Sequence, residues 1–300
     1  MRVYLVLLVL FVLAGCSAPT QEPGAVTGTD GVSFSVISAP SEVFEGEEFS
    51  ITYAVENKGS VDIIRENPGV LSFSANRLYL SELDTTSRFQ SDSFWLDART
   101  PFVSGESAFI TAFFRANTID RSSQMVNTGV TGAICYPYRS EISTQVCLET
   151  SRDADPGSVI CRNQPVIPST SGSPLVVDRV VTTTARSGDQ ILPSFRLNVR
   201  NAGSGIPSTD SCVGFDSPNV EGLNNIRVEA SLLDEPLVCR GSGPDGAVRL
   251  TNGRGSVTCT VPGNSYLTFG SASANYLSVL SVNMSYSYRE SIRSNIRVVR

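Results

Sequence analysis

The sequence predicts an all-β chain made of two copies of one antiparallel unit, and three observations predict it. Apolar residues alternate with polar ones at period two in segment after segment, among them Val32–Ser38, Phe49–Val55, Phe109–Phe114, Phe195–Val199 and Leu277–Tyr288. Val, Ile, Thr, Phe and Tyr fill these runs and Gly, Pro, Asn or Asp punctuate their ends, as strands and turns require. Helical periodicity lasting more than two turns is absent; the one place that permits a short helix is 77–85, where Leu78, Leu80 and Leu83 would share a face. Finally, two segments recur. The strand that leads into Asn57-Lys58-Gly59-Ser60 returns as the strand that leads into Asn201-Ala202-Gly203-Ser204, and Tyr136-Pro137-Tyr138-Arg139 returns as Tyr286-Ser287-Tyr288-Arg289. Two matches in the same order at nearly the same offset indicate a duplicated unit.

Taken from the N-terminus, Met1-Arg2 is a short positive start before an apolar run from Val3 to Leu13. That run is too short to span a bilayer comfortably and suits the core of a secretory signal. It ends in Leu13-Ala14-Gly15-Cys16, which resembles the lipobox of prokaryotic lipoproteins. The resemblance implies cleavage before Cys16, lipidation of its sulfur, and an extracytoplasmic chain anchored to the membrane or envelope. Residues 16–31 are small, polar and Pro-containing and read as a tether. The first sandwich then covers 32–160, a linker rich in Pro, Ser and Gly covers 161–173, and the second sandwich covers 174–300.

Composition narrows the chemistry. The 300 residues include no His, and 22 Arg stand against a single Lys, Lys58. Without His there is no Ser-His-Asp or Cys-His nucleophile, and Lys58 does not sit in a phosphate-binding loop. The formal charge is −6; an acidic surface without basic–aromatic clusters argues against nucleic acid as a partner. No cofactor is expected.

Six cysteines follow Cys16, an even number that in an exported chain reads as three disulfides. Cys135 and Cys147 flank a segment centred near Glu141 and are expected to face each other in a hairpin. Cys239 and Cys259 flank a turn-rich stretch and form a second pair, which leaves Cys161 for Cys212. No C-x-x-C spacing supports zinc.

Candidate sites are few. Asp153 and Asp155 give the first half of a calcium-loop spacing, with no acid following at the required distance. Glu42, Glu45, Glu47 and Glu48 cluster before a strand and read first as solvated charge. Arg289, Arg293 and Arg297 fall on one face of the last strand; that face is either a charged sheet surface or a site for anionic envelope polymers. Trp95 lies in the irregular stretch 61–101, near Phe89, Phe94 and Phe102, as a core side chain or as a contact for sugar or protein. Asn283-Met284-Ser285 is a glycosylation sequon inside a strand.

The strand led in by Gly46 and closed by Asn57-x-Gly59-Ser60, with its counterpart before Asn201, resembles the opening of CARDB-type and related immunoglobulin-like domains. These occur, often in tandem, in archaeal and bacterial surface proteins. The resemblance implies two tandem immunoglobulin-like antiparallel β-sandwiches used as spacers, adhesion modules or binding platforms, and it carries no catalytic residue. The combined expectation is a non-enzymatic, lipid-anchored surface protein that contacts protein or glycan. The alternative is an accessory envelope lipoprotein for export, assembly or solute capture, with a ligand cleft between the domains.

Overall fold

The segments that alternate at period two all become strands. The computed structural model describes residues 28–87, 92–149, 161–169, 172–187, 190–212, 222–262 and 275–300. Cys16, Asp153, Asp155 and Phe89 lie outside them. The first half comprises β1 (Val32–Ser38), β2 (Glu42–Phe44), β3 (Glu48–Asn57), β4 (Gly69–Ala75), β5 (Leu80–Ser87), β6 (Ser93–Phe94), β7 (Ser107–Ala116) and β8 (Met125–Leu148). The second comprises β9 (Leu175–Ser187), β10 (Gln190–Asn201), β11 (Ile206–Ser208), β12 (Asn225–Leu232), β13 (Glu235–Pro236), β14 (Val238–Arg240), β15 (Val248–Arg249), β16 (Arg254–Thr260) and β17 (Tyr276–Val299). A single 3-10 turn, Pro244–Gly246, is the only helical element among the described residues.

The short helix permitted within 77–85 does not form. Asn76 holds a turn, accepting from Leu78 N on its side chain and from Tyr79 N and Leu80 N on its carbonyl. The chain then enters β5, which pairs with β7 and buries Leu80 completely. Cross-strand pairing overrides a weak local helical pattern.

Among the described residues three sheets result, antiparallel except where β2 runs parallel to β17. Two are four-stranded, in the orders β1-β3-β7-β5 and β9-β10-β16-β14. Both cover the same face of a nine-stranded sheet whose central path is β12-β17-β8-β4. That common face follows from burial: even-numbered residues of β8 and β17 point inward along nearly the entire strands, from Val130 to Leu148 and from Leu280 to Val298.

The long strands join the halves. β8 and β17 pair over all 24 residues of each, so Met125 meets Val299 and Leu148 meets Tyr276. Tyr136 lies opposite Tyr288, Pro137 opposite Ser287 and Tyr138 opposite Tyr286. Because the repeat carries Tyr136 onto Tyr286, the Pro137–Ser287 pair sits on a pseudo-two-fold axis. Each half therefore receives the last strand of the other. Ile296 and Val298 of β17 are buried in the first half with Val43, Phe49, Ile51, Tyr53 and Phe114. Ile142, Val146 and Leu148 of β8 belong to a core that continues into Phe195, Leu197 and Val257. A cut within 161–173 separates the repeats in sequence but not in space.

The disulfides correct the expected pairing. Cys239 bridges Cys259 across β14 and β16. The other two bonds are Cys135–Cys212 and Cys147–Cys161, in place of Cys135–Cys147 and Cys161–Cys212. No hairpin forms at Glu141; it lies mid-strand in β8. Twelve residues of continuous strand hold Cys135 and Cys147 about 40 Å apart, far beyond the few ångströms a disulfide spans. Cys135–Cys212 instead ties the last strand of the first repeat to the loop after β11 of the second.

Candidate functional site

The waist, where the repeats meet, is built by the two recurring sequence segments together. Tyr136, Tyr138, Tyr286 and Tyr288 form a ring of contacts with centroid separations of 5.8–6.2 Å. Each phenol is tied to backbone or side chain. Tyr138 donates to Gly172 O at 2.6 Å and accepts from Ser60 N at 3.1 Å. Tyr288 donates to Asn201 Oδ1 at 2.8 Å and accepts from Gly205 N at 3.0 Å. Tyr136 accepts from Val32 N at 3.1 Å, and the Tyr286 hydroxyl meets Ser140 and Ser173. Asn57 and Asn201 shape the two turns alike, each accepting on Oδ1 from the glycine two residues on, at 3.1 and 3.2 Å. Burial pushes the Tyr138 phenol up to about 12, and the other three phenols rise for the same reason. These hydroxyls stay protonated and hold the turns.

Beside the ring lies a cavity of about 210 Å³ bordered by Asp30, Lys58 and Glu290. Glu290 occupies the inward phase of β17, two residues after Tyr288, and a carboxylate in that phase is the sequence signal for it. Burial, and secondarily the Asp30 charge, push its carboxyl up to about 7.

The candidate residues from the sequence do not converge. Arg289, Arg293 and Arg297 share the outer face of the nine-stranded sheet, but Arg297 pairs with Glu42 at 3.2 Å and Arg289 is half-buried opposite Asp210. Arg300 reaches Glu45 at 3.9 Å, Glu47 accepts from Phe44 N at 2.7 Å, and Glu48 pairs with Arg115. The acidic cluster is thus distributed among separate partners. Trp95 is half-buried against the core with Arg65 stacked 4.6 Å from its ring centroid, beside fully buried Phe94. Asn283 faces outward on β17 between Glu229 and Glu141. Among the described residues no group of His, Cys, Asp and Glu could hold a metal ion.

The outer face of the sheet β1-β3-β7-β5 carries what sequence reasoning missed. Phe109 is 64% exposed and Phe113 37% exposed, about 13 Å apart on β7. Ala54 and Ser35 share the row of Phe109, and Phe113 stands between Ser50 and Asp84. In the run Phe109–Phe114 both phenylalanines are out of phase with buried Ile110, Ala112 and Phe114, which was the available signal. The second half has Ser256 and Thr260 at the equivalent register positions, opposite Asn198 and Ser194. The fold does not itself need aromatics there.

No protein-family model and no curated protein matches the chain. Among solved structures, a chain named BspA_C_WT is similar at 8% identity over 89% of this chain and 99% of that one, with a TM-score of 0.18. The collagen binding domain of the Erysipelothrix rhusiopathiae surface protein RspB is similar at 13% identity over 89% and 92%, with a TM-score of 0.14. At such TM-scores neither likeness bears on fold or function.

Proposed function

We propose that the chain is a lipid-anchored extracytoplasmic binding protein, without catalytic activity, that contacts protein or glycan at the cell surface. The exposed pair Phe109 and Phe113 carries this reading: two large apolar side chains stand on a central strand whose pseudo-symmetric partner has Ser and Thr. Three disulfides suit an oxidising compartment, and the lipobox supplies the anchor. Crosslinking on intact cells tests the reading. The native chain should yield a crosslinked partner that Phe109→Ser/Phe113→Thr loses; an identical pattern from the folded variant would overturn it. Cys16→Ser should move the chain from the detergent to the aqueous phase.

The waist cavity favours the second reading, an envelope lipoprotein that captures a solute between the halves. Its 210 Å³ is smaller than the roughly 300–1,000 Å³ of ordinary ligand pockets. Surface contact is the better supported role.

A further inference from the structure

We propose that the outer face of the sheet β9-β10-β16-β14 is a binding surface for an anionic polysaccharide. Arg179, Arg196, Arg200, Arg240 and Arg254 stand at outward positions of its four strands. Arg179 and Arg254 line a groove of about 570 Å³ there together with Arg249 of β15, and Arg196, Arg200 and Arg240 stand on the sheet around it. Register fixes their arrangement. Arg200 lies beside Arg254, Arg179 shares the next row with Asn198 and Ser256, and Arg196 shares the row beyond with Thr258 and Arg240. Three rows and four strands place the guanidinium stems within a patch about 14 Å on a side.

Charge is segregated here. The chain has 29 acidic against 23 basic residues, yet among the described residues the one acid on this face is Asp178, at the bulge of β9, which takes Arg200 at 2.9 Å. No acidic side chain among the described residues pairs with the other five arginines. The first half shows that the fold does not require them: the positions equivalent to Arg179, Arg196, Arg200, Arg240 and Arg254 are Ser35, Thr52, Glu56, Thr86 and Ser107.

The chemistry of the groove selects the partner. Guanidinium forks match carboxylate and sulfate oxygens in pairs, and Asn198, Ser242, Thr251 and Ser256 offer amide and hydroxyl groups suited to sugar hydroxyls. Among the described residues no aromatic ring lines the groove for a base to stack on, which disfavours single-stranded nucleic acid. This face is separate from that of Phe109 and Phe113, so either assignment stands or fails without the other.

The test measures binding of the detergent-solubilised full chain to heparin, polygalacturonate and neutral dextran, with duplex DNA and phosphatidylglycerol vesicles as the competing polyanions. Heparin or polygalacturonate should bind at low salt, more weakly as salt rises, and dextran not at all; the stronger of the two separates sulfate from carboxylate recognition. Arg179→Ser/Arg196→Thr/Arg254→Ser, which restores first-half residues, should weaken binding roughly tenfold or more with unchanged melting. Arg293→Ser/Arg297→Ser on the other sheet should not. Should the triple variant melt early, Arg196→Glu at its exposed position takes its place. Failure to bind either acidic polysaccharide, undiminished binding by the folded variants, tighter binding to DNA, or tighter vesicle binding that falls with the arginine substitutions (and so is not due to the lipid anchor) would each overturn the proposal.

Discussion

The phenol oxygen of Tyr138 occupies the space that a Cβ on Gly59 would need. The second repeat reproduces the contact between Tyr288 and Gly203. One geometry shared by the two repeats thus explains why both Asn-x-Gly-Ser turns carry glycine although neither glycine has a positive φ.

Gly59→Ala should destabilise the chain by about 1–3 kcal/mol, because the phenol is held on two sides and the turn cannot yield. Tyr138→Phe should cost about 0.5–1.5 kcal/mol, because Ser60 N and Gly172 O lose the phenol and keep only their own 3.3 Å bond. In a double-mutant cycle followed by denaturant melting, the combined loss should be smaller than the sum, since Phe removes the clashing oxygen. Strict additivity would show that the two residues do not compete for that space.

Ile296→Ala should weaken the first half more than the second, although residue 296 belongs to the last strand of the chain. Its side chain is 2% exposed within the first-half core, and truncation there costs about 2–5 kcal/mol. Hydrogen exchange should show protection falling in β3 and β7 beyond any fall in β10 and β16. An equal or reversed loss would contradict the strand exchange.

Peptide mapping without reduction should recover Cys135–Cys212, Cys147–Cys161 and Cys239–Cys259. Replacing Cys135 and Cys212 together by Ser should cost roughly 4 kcal/mol, given the 77-residue separation they close. A recovered Cys135–Cys147 peptide would refute the continuity of β8.

Stability should fall as pH rises from about 4.5 through about 7 on account of Glu290. Burial and Asp30 raise its carboxyl in the folded chain above its ordinary 4.5, to about 7, so folding favours the protonated form. Its contribution is complete below the ordinary value and gone above the raised one, about 2–3 kcal/mol in all. Glu290→Gln should flatten this limb of the pH–stability curve. A variant with the native slope would assign the dependence to other groups.

Strand character and duplication were legible because period two and the spacing of Asn57 and Tyr136 from their counterparts are local signals. The disulfide partners of Cys135 and Cys147 were not, because whether a strand turns near Glu141 or runs on is decided by β17, more than a hundred residues away. Of the candidate surface, Phe109 and Phe113 were visible only as residues out of phase in a hydrophobic run. The arginines of β9, β10 and β16 are scattered in sequence and gather only through cross-strand register. Arg289, Arg293 and Arg297 do align on one face as β17 dictates, but Glu42 arrives there through a parallel pairing that no local pattern announces.

The 24-residue pairing of β8 with β17 has a consequence for export. A chain that crosses a membrane N-terminus first presents β1 to β8 long before β17 emerges, and during that interval the core around Phe49 and Phe114 lacks Ile296 and Val298. The first half can close only when β17 has arrived, so its maturation waits on a strand that follows all of β9 to β16. In that interval β8 offers an unpaired edge to neighbouring chains, and another copy's β17 is its natural competitor. Crowded secretion should therefore produce exchanged dimers that dilute secretion does not.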